Sequence, residues 1–314
     1  MMEDFPLVSV ITTSYRKFEY AEKTVCSVLE QNYPNIQFIL ADDGSDNFDY
    51  SFFETLLSSR NVCNYLILHN CVNVGTVMNI NNACKHALGK YIIFLSMGDV
   101  FYSNNSLKDI VMRAIESNAE VLSFSRMLWD KKDIRMMPLP YFYSDISKLS
   151  TPTKQYYALL KGQYYEMASG SAVCILRQTI EELGLYDERY KYWEDGPFFA
   201  RANKRGILIK TAYDIVGIRY LAGGISDKKK KDKFSNLLQK DAVLFYKTEL
   251  KYIKKTSVKR FLKYSVKFNA VNRFGLFFLR LRYLDVLFSK AFYKYRLRKA
   301  INQYVRFNNV NIKI

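Results

Sequence analysis

The sequence predicts an α/β protein with a mostly parallel central sheet and flanking helices, Rossmann-like in build, followed by a basic helical C-terminal region. Three observations predict this. First, short β-branched or apolar strands alternate with helical patterns through the first half, as they do when helices cover a parallel sheet. Second, two strands run straight into turns that carry acids. Phe38 to Ala41 leads into Asp42-Asp43-Gly44-Ser45, and Tyr91 to Leu95 leads into Ser96-Met97-Gly98-Asp99. Open α/β sheets place ligands outside the carboxyl ends of their strands, so acids there suit a nucleotide and a divalent cation. Third, the charge is unevenly placed. Of a formal +17, residues 227–314 hold 24 Lys/Arg against 5 Asp/Glu, a net +19, leaving −2 for the rest.

The elements follow in order. Residues 8–13 are a strand of β-branched residues, and 19–31 put Ala21, Val25, Val28 and Leu29 on one helical face. Strands are expected at 36–41, 65–68, 91–95 and 121–125, with helices at 52–57, 76–87 and 107–117. From 126 to 165 the pattern loosens, with Pro138, Pro140 and Pro152 as breakers. It resumes as a strand at 172–176, helices at 178–183 and 197–204, and a closing strand at 207–210. A loop through Gly223-Gly224 then leads into Lys228-Lys229-Lys230-Lys231. The division expected is a catalytic domain over 1–226 and a basic, aromatic-rich helical tail over 227–314.

Composition narrows the chemistry. With 49% hydrophobic and 25% charged residues the chain is globular. No run reaches the ~18 uncharged apolar residues of a membrane-spanning helix, and acids occupy the N-terminus where a signal peptide needs bases. This points to a cytoplasmic protein. Cys26, Cys63, Cys71, Cys84 and Cys174 include no Cys-x-x-Cys pair and read as reduced core residues. With only His69 and His86, neither a histidine triad nor a His-rich metal site fits.

Several segments taken together carry a resemblance. They are 8–15 (Val-Ser-Val-Ile-Thr-Thr-Ser-Tyr), 27–35 (Ser-Val-Leu-Glu-Gln-Asn-Tyr-Pro-Asn), Asp42-Asp43-Gly44-Ser45, Asn73-Val74-Gly75, Asn81, 87–95, 183–188 and Tyr192-Trp193-Glu194-Asp195. In this order, over roughly residues 6–226, the chain resembles family 2 inverting glycosyltransferases of the bacterial surface-polysaccharide type. The resemblance implies a GT-A fold, a UDP-sugar donor and Mg or Mn. It places nucleotide binding on Thr13, Tyr15, Asp43, Asn73, Gly75 and Asn81, the metal on Asp99, and the general base on Asp195, with Glu194 beside it. Trp193 would serve the acceptor. The usual Asp-x-Asp-Asp reads Ser96-Met97-Gly98-Asp99 here, and Leu221 stands where relatives often have His.

The residues themselves support these roles and leave plainer ones open. Tyr15 is suited to stacking on a base, or to packing at a strand end. Asp43 would accept from an N3–H that uracil and thymine have and cytosine lacks, and Asp42 would hold the turn. Asp99 supplies the hard oxygen ligand that Mg or Mn takes beside phosphate oxygens. Asn73-Val74-Gly75 precedes a helix whose N–H groups could meet anionic oxygens, or simply be capped there. Glu194 and Asp195 open a helix, so either could be a cap or a base.

The expected reaction moves one sugar from a UDP-sugar to a hydroxyl of a lipid-linked or surface-polysaccharide glycan. A nucleotidyltransferase would need a Gly-rich loop after the first strand, and Thr13-Ser14-Tyr15-Arg16-Lys17 has no glycine. A docking scaffold with a decayed site is the other alternative. In the tail, Lys259, Lys263 and Lys267 flank Val258, Phe261 and Leu262, and Phe274, Phe277, Phe278, Leu281 and Phe288 repeat the pattern. Basic amphipathic helices of this kind lie on anionic membrane surfaces. The expected location is therefore peripheral, on the inner face of the cell membrane, with nucleic acid the least favoured partner.

Overall fold

The structure is a computed structural model that describes residues 5–59, 64–129, 136–139, 149–161, 170–220, 233–268 and 273–289. Among the described residues, nine strands form one mixed sheet in the order β3-β2-β1-β4-β8-β6-β9-β5, with β7 added on β6. They are β1 (Val8–Ser14), β2 (Ile36–Asp42), β3 (Tyr65–His69), β4 (Tyr91–Ser96), β5 (Asp99–Phe101), β6 (Val121–Trp129), β7 (Met136–Leu139), β8 (Val173–Leu176) and β9 (Ile209–Tyr220). The half from β3 to β4 is parallel. Beyond β4 the β6–β9 pair is parallel and the other pairings are antiparallel.

Helices cover both faces of the sheet, and its strands show it. On β1, β2 and β4 almost every residue is buried, with side chains alternating between two clusters. Val8, Val10, Phe38, Leu40, Ile93 and Leu95 face one side. There they meet α1 (Ala21–Leu29), α2 (Tyr50–Ser58) and α4 (Ser106–Glu116). Ile11, Ile39, Ala41, Ile92 and Phe94 face the other. That side is covered by α3 (Thr76–Cys84), α5 (Pro152–Leu160) and α7 (Asp195–Lys204). Between β8 and α7 lies the short α6 (Arg177–Glu182).

Three features were not expected. Pro152 does not break structure: it opens α5, where its missing N–H costs nothing, and Thr151 caps the same helix by accepting from the Lys154 N–H. Residues 207–210 lead into a strand of 12 residues that reaches Tyr220 and lies inside the sheet. Immediately after β4 the chain crosses over to pair Asp99 with Tyr220. Of the cysteines, Cys84 and Cys174 are core, Cys26 is half-buried and Cys71 is exposed. Cys63 lies outside the described residues.

The expected boundary at 226 also lies outside them, as do Leu221 and the 222–226 loop. The next element, α8 (Lys233–Leu250), is not a separate unit. Its Phe245 belongs to the same apolar cluster as β1 and β4, with Ile253 and, from α9 (Thr256–Phe268), Val258 and Leu262. Glu249 accepts from the Tyr156 hydroxyl and pairs with Lys204 at 2.8 Å, fastening α8 to α5 and α7. Beyond them, α10 (Arg273–Arg282) and α11 (Leu284–Leu287) share a small core with α9, built from Phe261, Tyr264, Leu279, Tyr283 and Val286. Opposite it, Phe274, Phe277, Phe278, Leu281, Leu284 and Phe288 form an exposed stripe at helical spacing. Among the described residues no helix is long and apolar enough to cross a membrane.

Candidate active site

The first wall of the site is the turn after β2, whose two acids have different tasks. Asp42 is fully buried. It accepts from Ser14 Oγ (2.8 Å), Ser45 Oγ (2.7 Å) and Ser45 N (2.7 Å), and His69 Nδ1 lies at 2.9 Å. It holds the turn. Asp43 accepts from Val74 N at 2.8 Å, Gly75 N at 3.0 Å, Asn73 Nδ2 at 2.8 Å and Asn70 Nδ2 at 3.5 Å. Burial, the largest effect, and the nearby Asp42 raise its pKa against these hydrogen bonds. Asn73 and Gly75 are thus partners of Asp43, and together they tie the β2 turn to the start of α3. Two glycines make this approach possible. Gly44, at φ +72°, has no room for a Cβ against the Val72 backbone, and Gly75, at φ +95°, has none against Lys191.

Beside this wall, Thr13 is the last but one residue of β1 and its carbonyl accepts from Met97 N at 2.8 Å. Tyr15 stands exposed just past the strand, with the Arg16 guanidinium 5.1 Å from its ring centroid. Arg16 has a left-handed backbone (φ +56°), held where its N–H reaches Ser45 Oγ. Asn81 does not join the group. Its side chain donates to Tyr186 O at 2.9 Å and to Glu188 Oε1, and accepts from Tyr186 N. With its amide bonded on both ends and 2% exposed, Asn81 is a structural link between α3 and the 186–188 turn.

The second wall comes from β5. Asp99 is buried, and burial drives its pKa well above the aspartate range, with the Arg126 guanidinium pulling the other way. Gly98 before it has φ +97° and donates its N–H to Thr24 Oγ1 at 3.1 Å. Arg126 lies on β6 just beyond a shift in the β6–β9 register. Such irregularities re-aim side chains near sites.

The third wall is the start of α7. Asp195 accepts from Gly170 N at 3.1 Å and Gly196 N at 2.6 Å. Burial raises its pKa, and Arg126 opposes the shift here as it does at Asp99. Glu194 lies against the backbone of Gly170. Its pKa is pushed up to about 8 by burial and by the adjacent Asp195. The two acids titrate as a pair, and burial of both means the pair holds a proton near neutrality. Trp193 is not an open platform. Its ring packs edge-on to Phe245 at 5.2 Å and against Gly196, where no Cβ would fit.

The walls meet at the carboxyl edge of the parallel strands. Asp99 and Asp195 share Arg126. Asp43 reaches the third wall through Gly75, Lys191 and the Val77 N–H, which donates to Lys191 O at 3.2 Å. Sequence reasoning missed Arg126 because it begins the stretch whose pattern loosens. Among the described residues no group of three or more His, Cys, Asp or Glu could hold a metal. Asp99 suits a hard cation that takes its other ligands from phosphate and water, the mode Mg commonly adopts.

This edge and sheet are those of a known class. The family model described as Glycosyl transferase family 2 matches residues 9–184, and the chain belongs to that family. An uncharacterized glycosyltransferase of Haemophilus influenzae is 24% identical over 66% of this chain. The match spans 63% of that relative, about three fifths of its length. WfaP of Escherichia coli, a UDP-Glc:α-D-GlcNAc-diphosphoundecaprenol β-1,3-glucosyltransferase, is 26% identical over 52% of this chain and 79% of its own. Among solved structures, S. aureus TarS 1–349 in complex with UDP-GlcNAc superposes with a TM-score of 0.57 at 17% identity, over 83% of this chain and 70% of TarS 1–349. The Pyrobaculum calidifontis mannosyltransferase PcManGT, in complex with GDP-Man and Mn2+, gives 0.59 at 13% identity, over 98% and 89%. These likenesses establish the GT-A fold.

Proposed function

We propose that the chain transfers one sugar from a UDP-sugar, with inversion, to a hydroxyl of a lipid-linked or surface-polysaccharide glycan. The observation that carries this reading is a shared cation, Arg126, acting on both Asp99 and Asp195. Its reach supports reading Asp99, a carboxylate suited to a metal, and the half-buried Glu194–Asp195 pair as one site at the edge of the sheet. Ionised Asp195 takes the proton from the acceptor hydroxyl as that oxygen attacks the anomeric carbon from the face opposite the diphosphate. Tyr15 stacks on the base, and the turn built by Asp43, Asn73 and Gly75 bounds the nucleoside. Asp99 would hold Mg or Mn, which would supply Lewis-acid stabilisation of the departing diphosphate.

A panel of UDP-sugars tested for UDP release, with Mg, with Mn and with chelator, is the direct test. Release is expected from at least one donor and should fall by at least about 10²-fold with chelator and in Asp99→Asn, the metal being worth several kcal/mol. Release from no donor, or release indifferent to both changes, would remove the metal-dependent reading.

The acceptor reading draws on WfaP, whose named acceptor is a diphosphoundecaprenol, and on the exposed Phe274–Phe288 stripe. Around that stripe, residues 251–289 hold ten Lys/Arg and one acid, Asp285, which is paired with Arg260. Bulky apolar side chains beside this excess of positive charge suit the interface of an anionic membrane, here the cytoplasmic face of the cell membrane. The full chain should float with vesicles containing anionic phospholipid and less with neutral ones. Replacing Phe274, Phe277 and Phe278 together by Ser should reduce flotation at least about fivefold, and unchanged flotation would exclude this surface.

A further inference from the structure

We infer that Asp241, on α8, is a positioning residue for the Glu194–Asp195 pair; the inference rests on Asp195 as the base. Asp241 is buried, 7% exposed, and one of its oxygens accepts three consecutive backbone N–H groups. They are Lys191 N at 3.0 Å, Tyr192 N at 2.7 Å and Trp193 N at 3.1 Å. These residues form the turn that delivers Glu194 and Asp195 to the start of α7. The opposite side of the turn is held at Lys191 O by the Val77 N–H. The turn is therefore gripped between α3, which borders the nucleoside wall, and α8.

The path to the reacting group is short. Asp241 fixes the backbone of Trp193. The Trp193 ring is wedged between Phe245 and Gly196, the residue whose N–H donates to the Asp195 carboxylate. Without Asp241, three aligned N–H groups face the interior with no acceptor. The turn then relaxes toward water and carries the indole with it. A displacement of the base by about 1 Å is enough to cost on the order of 10²-fold in rate. The path to Asp195 runs through Trp193 and Gly196, whereas the nucleoside wall is held by its own bonds from Asn73, Val74 and Gly75 to Asp43, so the loss falls mainly on turnover.

The test uses the full chain and measures kcat for sugar transfer together with the UDP dissociation constant by calorimetry. Asp241→Ala should lower kcat about 10–100-fold with UDP affinity within about threefold of the parent. Asp241→Asn, whose amide oxygen still accepts, should recover most of that loss. If Asp241→Ala does not fold, Asp241→Ser is measured instead, and a kcat at least about fivefold down at unchanged UDP affinity is expected. Parent-like kcat in the variant measured, or an equal loss of UDP affinity, overturns the inference. Asp195→Asn in the same assay separates the two claims. If it is active, the assignment of the base has failed; if it is inactive beside a fully active Asp241 variant, only the positioning role has.

Discussion

Asp195→Asn should lower kcat by about 10²–10⁴-fold while leaving UDP binding unchanged. The amide cannot take a proton; its single oxygen keeps one of the two bonds that Gly170 N and Gly196 N make to separate Asp195 oxygens, so the start of α7 should stay in place. Glu194→Gln should behave oppositely. The pKa of Glu194 is pushed up to about 8, so a neutral amide there stands in for its protonated form. Activity within about tenfold of the parent is expected, well short of the loss for the base itself. The pH profile follows from the signs. Burial raises the pKa of Asp195, so kcat should fall with decreasing pH through a midpoint above the ordinary aspartate range. Above about 8 the parent gains a second buried charge at Glu194, and any alkaline transition it causes should vanish in Glu194→Gln. Equal losses in both variants would mean that the roles are not divided in this way.

Phe245→Ala should cost about 3–5 kcal/mol of stability, as large-to-small changes of fully buried aromatics do. Phe245 is 1% exposed and sits among Tyr190, Trp193 and Tyr246 with ring centroids 5.2–6.4 Å away. Denaturant unfolding of parent and variant measures the difference. A cost below about 1 kcal/mol would be the signature of a peripheral site and would return α8 to the status of an appended tail. The large value is expected because α8 completes the cluster that covers one face of the sheet.

What could be read from the sequence follows physical lines. The strands and helices of the parallel half were legible because each side chain of β1, β2 and β4 meets an apolar layer and each helix buries one stripe. The two acids after β2 were legible because a turn between a strand and a loop needs short polar side chains, and Asp42 does hold it. Elements set by distant partners were not legible. β5 is three residues long and exists because β9 is there to pair with it. β7 exists because the far end of β6, itself paired with β9, is there to receive it. Asp241 was hidden inside a segment whose 24 basic residues suggested a solvated surface. Its role appears only when the 191–193 turn is folded against it. Asn81 was misplaced for the converse reason: its position in a pattern says nothing about which way its amide is bonded.

The backbone at Gly98 bears on how this sequence can change. The Asp-x-Asp-Asp pattern that Ser96-Met97-Gly98-Asp99 resembles would put an acid here, and open space surrounds the Gly98 Cα, with nothing within 4 Å of where a Cβ would stand. Yet φ is +97°, a region that costs an L-amino acid on the order of 1–2 kcal/mol. Crowding is therefore no obstacle to gaining the acid; chirality is. Acquiring it would require the link between β4 and β5 to be rewound first, so a lineage that has accepted glycine here is steered toward keeping it.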